Sequence, residues 1–129
     1  MKQLLLALTF IFCTVLSFSQ SAQLKIQNNS QRTLSIKVMT SSNHRHSFVT
    51  VSPWSNQTIY FASTGNFYLK TKATIQGKEP MFSKGKPFQV YVGSDGYSVL
   101  TITYSIKESA YSADPLDGKK ISKEEFDKD

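Results

Sequence analysis

Polar and apolar residues alternate with a period of two along most of this chain. Seven such runs occur before residue 108, at residues 23–27, 33–38, 48–51, 57–61, 67–73, 88–92 and 100–106. Successive side chains of a β-strand point to opposite faces, so this period predicts strands that bury one face. No helical period accompanies these runs. The chain is therefore expected to fold as a β-protein.

Turn-forming residues separate the predicted strands. Pro53 and Gly65 each fall between two runs, and residues 94–96 (Ser-Asp-Gly) favour a hairpin because glycine readily adopts positive φ. Residues 76–87 form a longer connection that contains two glycines and two prolines. Seven short strands with turns between them predict an all-β domain, an antiparallel two-sheet sandwich rather than a small barrel.

Part of this pattern resembles immunoglobulin-like and fibronectin-like modules. The residues that carry the resemblance, within residues 23–107, are Ile26-Gln27-Asn28-Asn29, Leu34-Ser35-Ile36-Lys37-Val38, Pro53 and Gly65-Asn66-Phe67-Tyr68. The paired cysteines of antibody domains are missing, and Trp54 falls in a turn instead of a central strand. The resemblance is architectural: it implies a seven-stranded antiparallel sandwich, as in small secreted proteins of Bacteroidota, and no activity.

The first nineteen residues are organised like a secretory signal peptide. Lys2 supplies a positive charge, residues 4–16 are almost entirely apolar, and residues 17–19 (Ser-Phe-Ser) provide a small-x-small cleavage site. The apolar run is shorter than the ~18–20 residues that span a bilayer, which disfavours a membrane anchor. Residues 17–20 resemble the end of Bacteroidota signal peptides, whose cleavage often leaves a glutamine, here Gln20, as the new N-terminal residue. We expect cleavage there, a mature protein in the periplasm or outside the cell, and no stable membrane insertion.

The single cysteine, Cys13, lies within the predicted signal. Phe12 before it is not the small residue that a lipoprotein signal requires. The mature chain therefore has no disulfide, no thiolate metal ligand and no cysteine nucleophile. A chain of about 110 residues can bury roughly two-thirds of its unfolded surface, so one domain held by its core is expected. We place this domain at residues 20–107.

Charge is distributed unevenly along the sequence, whose formal net charge is +6. Residues 20–107 contain ten Lys or Arg and only two acids, whereas residues 108–129 contain four lysines and seven acids. A basic domain attracts acidic or phosphorylated glycans, anionic lipid headgroups or acidic proteins, and secretion argues against nucleic acid as a partner. The alternative is a solvated basic surface that has no dedicated partner. The charged end is expected to be a disordered tail that contains at most a short helix capped by Ser122 and Glu125.

Two segments resemble metal sites only superficially. His44 and His46 are two residues apart, but a site needs three or four ligands and Arg45 between them repels a cation. Residues 117–126 resemble a calcium loop, yet placing Gly118 at its sixth position leaves no carboxylate at positions one and three. We therefore predict neither a metal site nor a cofactor.

Catalysis is disfavoured by the scarcity of acids. Glu79 and Asp95 are the only acids in the predicted domain, and both fall in loops. Triad hydrolases and glycosidases need carboxylates that are held beside a histidine or facing each other across a cleft. The sequence also has no glycine-rich phosphate loop. We therefore predict a protein that is not an enzyme and has no catalytic residues.

Four aromatic residues and two lysines are the candidate binding residues. Three tyrosines are predicted on outward strand faces, with a tryptophan on a turn and two lysines beside the second tyrosine: Tyr60, Tyr68, Tyr91, Trp54, Lys70 and Lys72. Tyr and Trp are enriched in protein-binding hot spots, and flat rings also stack on sugars. The alternative is that these rings simply pack across a sheet. We expect a module that binds an envelope or extracellular protein, with an anionic glycan or cell-wall polymer as the alternative ligand.

Binding by strand addition is a further alternative, because a sandwich has open edges that can pair with a partner's strand. The strand predicted at residues 67–75 is long enough to serve. Its Lys70 and Lys72 are interpreted as protection of an exposed edge, so strand addition is the less favoured mode.

Overall fold

The structure is a computed structural model that describes residues 21–109 and 112–129. The described residues form eleven strands: β1 (Ala22–Asn28), β2 (Thr33–Thr40), β3 (Arg45–Val51), β4 (Asn56–Phe61), β5 (Gly65–Thr74), β6 (Met81–Lys84), β7 (Phe88–Val90), β8 (Val92–Gly93), β9 (Gly96–Tyr97), β10 (Val99–Tyr104) and β11 (Lys119–Lys120). One helix, α1 (Lys123–Asp127), follows them. The predicted signal peptide lies outside the described residues.

The strands form two main sheets. A three-stranded sheet has the order β10-β1-β4, with β10 parallel and β4 antiparallel to β1. A six-stranded sheet has the order β11-β6-β5-β2-β3, with β7 also paired to β5, and its strand pairs are antiparallel. β8 and β9 form a separate hairpin around the predicted turn. The prediction of an all-β chain is confirmed. One strand pair departs from the expected antiparallel arrangement, because β1 and β10 are parallel.

Both sheets contribute to one apolar core. Its buried members from the three-stranded sheet include Ala22, Leu24, Ile26, Ile59 and Phe61. Those from the six-stranded sheet include Leu34, Ile36, Val38, Val51, Phe67, Leu69 and Ala73. These are apolar positions of the alternating runs, because the face that carries them is the face each sheet turns inward. Inside the core the hydroxyls of Thr71 and Tyr104 share a hydrogen bond of 2.8 Å that joins the two sheets.

The seven predicted strands correspond to β1–β5, β7 and β10. The four others are two to four residues long, too short to show a period, and β6 lies inside the connection that the glycines and prolines mark. β6 changes the place of β5, which pairs with β2 on one side and with β6 and β7 on the other. The interpretation of Lys70 and Lys72 as edge protection is therefore wrong, because β5 is a central strand.

Residues 112–129, which we call the C-terminal segment, pack against the domain where a free tail is expected. β11 pairs with β6. Phe126 is buried, with its ring 5.6 Å from the ring of Phe82. The expected short helix is present, and the side chain of Ser122 accepts a hydrogen bond from the backbone N–H of Glu125. The segment thus covers part of the outer face of the six-stranded sheet.

Candidate functional site

The structure separates the six predicted binding residues into two groups on different sheets. Three are exposed side chains on or next to the three-stranded sheet: Trp54, Tyr60 and Tyr91. The other three are on the outer face of the six-stranded sheet: Tyr68, Lys70 and Lys72. Tyr68 and Lys70 point away from the core as predicted, but both are buried, contrary to the expectation of exposure, because the C-terminal segment lies over them.

The outer face of the three-stranded sheet is exposed within the described part of the chain. The pairing register brings nine residues to it, which we call the docking face: Gln23, Lys25, Gln27, Asn56, Thr58, Tyr60, Val99, Thr101 and Thr103. Six of these nine side chains are exposed and the other three are half-buried. Tyr60 and Val99 lie on either side of Gln23 in one cross-strand row, and they are 61% and 64% exposed. Their Cα atoms are about 10 Å apart, twice the spacing of neighbouring strands.

Trp54 lies on a strained turn at one end of this sheet. The N–H of Ser55 donates to the carbonyl of Ser52 at 3.2 Å, which places Pro53 and Trp54 at the centre of a four-residue turn. Trp54 has a φ of +58°, in the left-handed region where glycine or asparagine usually occurs. That conformation costs a side-chain-bearing residue about 1–2 kcal/mol. The ring is 67% exposed, so burial of the ring does not offset the strain.

Tyr91 is partly committed to its own hairpin. Its hydroxyl donates to Asp95 Oδ1 at 2.7 Å, and this hydrogen bond lowers the pKa of Asp95 and raises the pKa of Tyr91. A Cβ on Gly93 would lie 2.2 Å from the same hydroxyl, so a side chain at this position would displace the Tyr91 ring. Tyr91 is nevertheless 47% exposed, so part of its surface remains available for contact.

A row of lysines crosses the outer face of the six-stranded sheet. Register pairs Lys37 with Lys70, Lys70 with Lys84, and Lys84 with Lys119, and we call these four residues the lysine row. Directly opposed residues have Cβ atoms about 4.5–5.5 Å apart, and like charges in such pairs destabilise a sheet. Lys37 and Lys70 are also buried. The row therefore needs negative charge or oxygen ligands from elsewhere.

The C-terminal segment supplies such ligands to Lys37. Lys37 Nζ donates to the carbonyl oxygen of Phe126 at 2.9 Å and to Asp129 Oδ1 at 2.6 Å. The ammonium also lies 4.9 Å from the centre of the Phe126 ring. The hydrogen bond from Lys37 lowers the pKa of Asp129, and Arg45, 3.4 Å from its other oxygen, acts in the same direction.

Among the described residues, both acceptors of Lys70 are backbone oxygens. Its Nζ donates to the carbonyls of Glu125 and Lys128, both at 2.8 Å. Carbonyls at a helix C-terminus lack intrahelical partners and carry partial negative charge, so they are suitable acceptors for an ammonium group. Burial lowers the pKa of Lys70, although the nearby Glu125 carboxylate opposes that effect. Lys72, in the next row, is half-buried with its Nζ 6.0 Å from the centre of the Phe82 ring.

A polar cavity of about 470 Å³ lies between the lysine row and the C-terminal segment. Its lining includes Asn43, Tyr68, Lys70, Lys84, Glu125 and Lys128. Lys84 Nζ lies 4.6 Å from the centre of the Tyr68 ring, and the Tyr68 hydroxyl donates to Asn43 Oδ1 at 2.7 Å. Burial, with a smaller contribution from Glu125, raises the pKa of Tyr68, so this hydroxyl keeps its proton.

Three residues of the docking face and the lysine row were not predicted from the sequence, because no motif marks them: Val99, Lys37 and Lys84. Val99 directly precedes the alternating run at residues 100–106. Its position next to that run is a signal that could have extended the predicted strand by one residue. Lys37 is a polar position of a predicted strand, but its neighbours depend on register. Lys84 lies in the connection that contains no predicted strand, so its place in the lysine row has no local signal.

Metal ligands are not assembled in the described part of the chain. No group of three or more His, Cys, Asp or Glu side chains there could hold a metal ion. The ring of His46 instead stacks on Phe61 at 4.8 Å, and its Nδ1 is 3.1 Å from the Ser47 hydroxyl. Within residues 21–109 and 112–129, no helix has the length and apolar character needed to cross a bilayer.

Comparison of the chain with protein-family models, curated proteins and solved structures finds no match in any of the three. The docking face and the lysine row are therefore the two surfaces that bear on function. They differ in chemistry: the docking face has one charged side chain, whereas the lysine row concentrates positive charge.

Proposed function

We propose that the mature chain is a secreted, non-enzymatic binding module that docks a protein of the cell envelope through its docking face. The observation that carries the proposal is the exposure of Tyr60 and Val99 in one cross-strand row. Large apolar side chains exposed together on an uncovered sheet face are typical of interaction sites, and tyrosine is a frequent hot-spot residue.

The charge pattern supports the same surface. Residues 20–107 contain ten Lys or Arg, yet Lys25 is the only charged residue among the nine of the docking face. Charged residues are depleted at the centres of protein interfaces, because their desolvation is costly. Positive charge in this domain is concentrated instead on the outer face of the other sheet.

Trp54 is proposed as a second contact of the module. A strained backbone position is retained only when something compensates for it, and such positions cluster at functional sites. Here the strain holds a large ring in solvent, where the ring adds nothing to the core. Tryptophan is also among the most enriched residues in binding hot spots.

The proposal includes an immunoglobulin-like sandwich architecture and export to the periplasm or cell surface. Two sheets around one core support the first part, although the additional strands β6 and β11 depart from a seven-stranded pattern. The signal-like residues 1–19 support the second part. Export can be checked separately from binding, by N-terminal sequencing of the exported protein.

Affinity capture with matched variants tests the docking face. Tagged mature protein is incubated with a solubilised envelope extract, crosslinked and washed with moderate salt. We expect one stoichiometric protein that is lost with the double variant Tyr60→Thr and Val99→Thr. The control is Phe48→Thr, which removes an exposed ring on the outer face of the other sheet. A partner that is retained by the double variant would contradict the proposal.

Glycan binding is a second candidate because the remaining docking-face side chains are mostly amides and hydroxyls. Six of the nine residues are Asn, Gln or Thr, groups that can hydrogen-bond sugar hydroxyls, and exposed rings occur at both ends of β4. Passage of the mature protein over peptidoglycan and acidic polysaccharide columns distinguishes this candidate. Retention that is lost with Tyr60→Thr would favour a glycan, whereas passage without delay would leave the protein partner.

A further inference from the structure

Lys84 differs from Lys37 and Lys70, the two buried lysines of the lysine row. Lys37 and Lys70 each donate to two oxygen atoms of the C-terminal segment. Within the described residues, Lys84 Nζ has no oxygen acceptor, and its contact is the face of the Tyr68 ring. Two of the four lysines in the row therefore donate to oxygen atoms of the C-terminal segment, whereas Lys84, which lines the cavity, does not.

The surroundings of Lys84 carry an excess of positive charge. Lys70, Lys84 and Lys128 line the polar cavity together with two carboxylates, those of Glu125 and Asp129. Asp129 is already paired, at 2.6 Å from Lys37 and 3.4 Å from Arg45. Those two cations offset its charge, so the cavity attracts an anion.

Hydrogen-bond donors other than Lys84 also reach this cavity. The Tyr68 hydroxyl donates to the side-chain oxygen of Asn43, which leaves the amide nitrogen of Asn43 as a donor. Lys128, an exposed residue, also lines the cavity. A volume of about 470 Å³ is large enough for an acidic group together with the body of a single sugar.

We propose that this cavity binds an oxyanion, the phosphate or carboxylate group of a ligand about the size of a sugar. Lys84 and Lys128 supply the charge, and Asn43 supplies a directional hydrogen bond. The oxyanion would give Lys84 oxygen acceptors, as the C-terminal segment does for Lys37 and Lys70. The site lies on the opposite sheet from the docking face, so it stands independently of the function proposed above.

Nuclear magnetic resonance titration tests the site. The mature protein is titrated at constant ionic strength with inorganic phosphate, with glucuronate and with glucose, while the amide signals of Asn43, Tyr68 and Lys84 are followed. We expect saturable shifts with at least one anion and none with glucose. Binding of phosphate alone would assign a phosphate ligand, and binding of glucuronate alone would assign a sugar carboxylate. Absence of saturable shifts with both anions would overturn the proposal.

Matched lysine variants separate this site from general attraction to a basic surface. Lys84→Met keeps the aliphatic chain over Tyr68, and we expect it to weaken anion binding by about tenfold or more, because it removes hydrogen bonds to a charged group. Lys84→Gln, which stays polar, is expected to give the same loss. Lys72→Met removes a charge from the same face outside the cavity and is expected to bind like the unaltered protein. Equal weakening by the variants of both positions would overturn the proposal.

Discussion

Lys37 and Lys70 stand directly opposite each other on β2 and β5, and both ammonium groups are held by oxygen atoms of the C-terminal segment. Two buried cations on neighbouring strands would otherwise repel each other and weaken the sheet. The segment and the sheet thus depend on each other. The acceptors lie far along the chain, since Lys37 and Phe126 are 89 residues apart.

Loss of the Lys70 ammonium is expected to loosen the C-terminal segment more than the sheet. Lys70→Met removes two hydrogen bonds to the segment, but it also removes a buried charge opposite Lys37. We expect faster amide hydrogen exchange in α1, with little change in the midpoint of thermal unfolding. Lys72→Met is the control, because its Nζ contacts a ring instead of the carbonyls of the segment. Unchanged exchange in α1 would show that these hydrogen bonds do not hold it.

Local sequence predicts the strands of this fold but not their partners. A period of two can be seen within each run, so seven strands and their inward faces follow from it. Pairing is not local: β6 is short, and its pairing with β5 decides that Lys70 lies on a central strand. Exposure of Tyr60 follows from alternation, whereas burial of Tyr68 requires knowledge of the C-terminal segment.

Composition predicts a disordered end because residues 108–129 contain few apolar side chains and many charges. The structure shows that the few apolar residues are used, with Leu116 and Phe126 both buried. The charge of the segment was expected to favour disorder, but it helps to hold the segment in place. The lysine row donates hydrogen bonds to the carbonyls and to the Asp129 carboxylate of the segment. No property of the segment by itself reveals those partners.

Gly118 is expected to be indispensable for seating β11 on β6. Its φ is +99°, and an added Cβ would lie 2.7 Å from the carbonyl oxygen of Lys84. Gly118→Ala therefore combines backbone strain with a clash against main chain, and we expect a loss of about 2–4 kcal/mol in unfolding free energy or in local opening of the segment.

Gly77 provides the matched control for that measurement. It also has a positive φ, +84°, but an added Cβ would meet nothing within 4 Å. Gly77→Ala is expected to cost about 1–2 kcal/mol, the strain alone. Urea unfolding of both variants gives the difference, together with hydrogen exchange at Lys119 and Lys120. Equal losses would mean that the clash at Gly118 is relieved by a small shift of β6.

The buried ion pair of Arg32 and Glu108 is expected to make stability depend on acid pH. Arg32 Nε donates to Glu108 Oε1 at 2.5 Å, and both side chains are more than 90% buried. Arg32 also donates to the carbonyls of Ala73 and Glu79. The hydrogen bond from Arg32 holds the pKa of Glu108 below its ordinary value of 4.5.

The sign of that pH dependence follows from the lowered pKa. The unfolded chain binds the proton more readily, so the stabilisation is present above pH 4.5 and is lost as the pH falls through the lower folded value. Glu108→Gln is expected to be less stable at neutral pH and to lose less stability on acidification. Thermal unfolding from pH 7 to pH 3 measures this, with Glu124→Gln, at an exposed position, as the control. An unaltered acid profile in Glu108→Gln would assign the pH dependence to other carboxylates.

Trp54 is expected to lower the stability of the fold while it contributes to ligand binding, and two substitutions separate these effects. Trp54→Gly removes the ring and the left-handed strain of about 1–2 kcal/mol, partly offset by the greater freedom of glycine in the unfolded chain. We expect unchanged stability or a gain of up to ~1 kcal/mol in urea unfolding. Trp54→Ala removes the ring but keeps the strain, so it should show no gain.

Both variants should lose the partner or glycan that the unaltered protein retains, because the ring is 67% exposed and belongs to no core. A loss of stability in Trp54→Gly would show instead that the ring supports the turn.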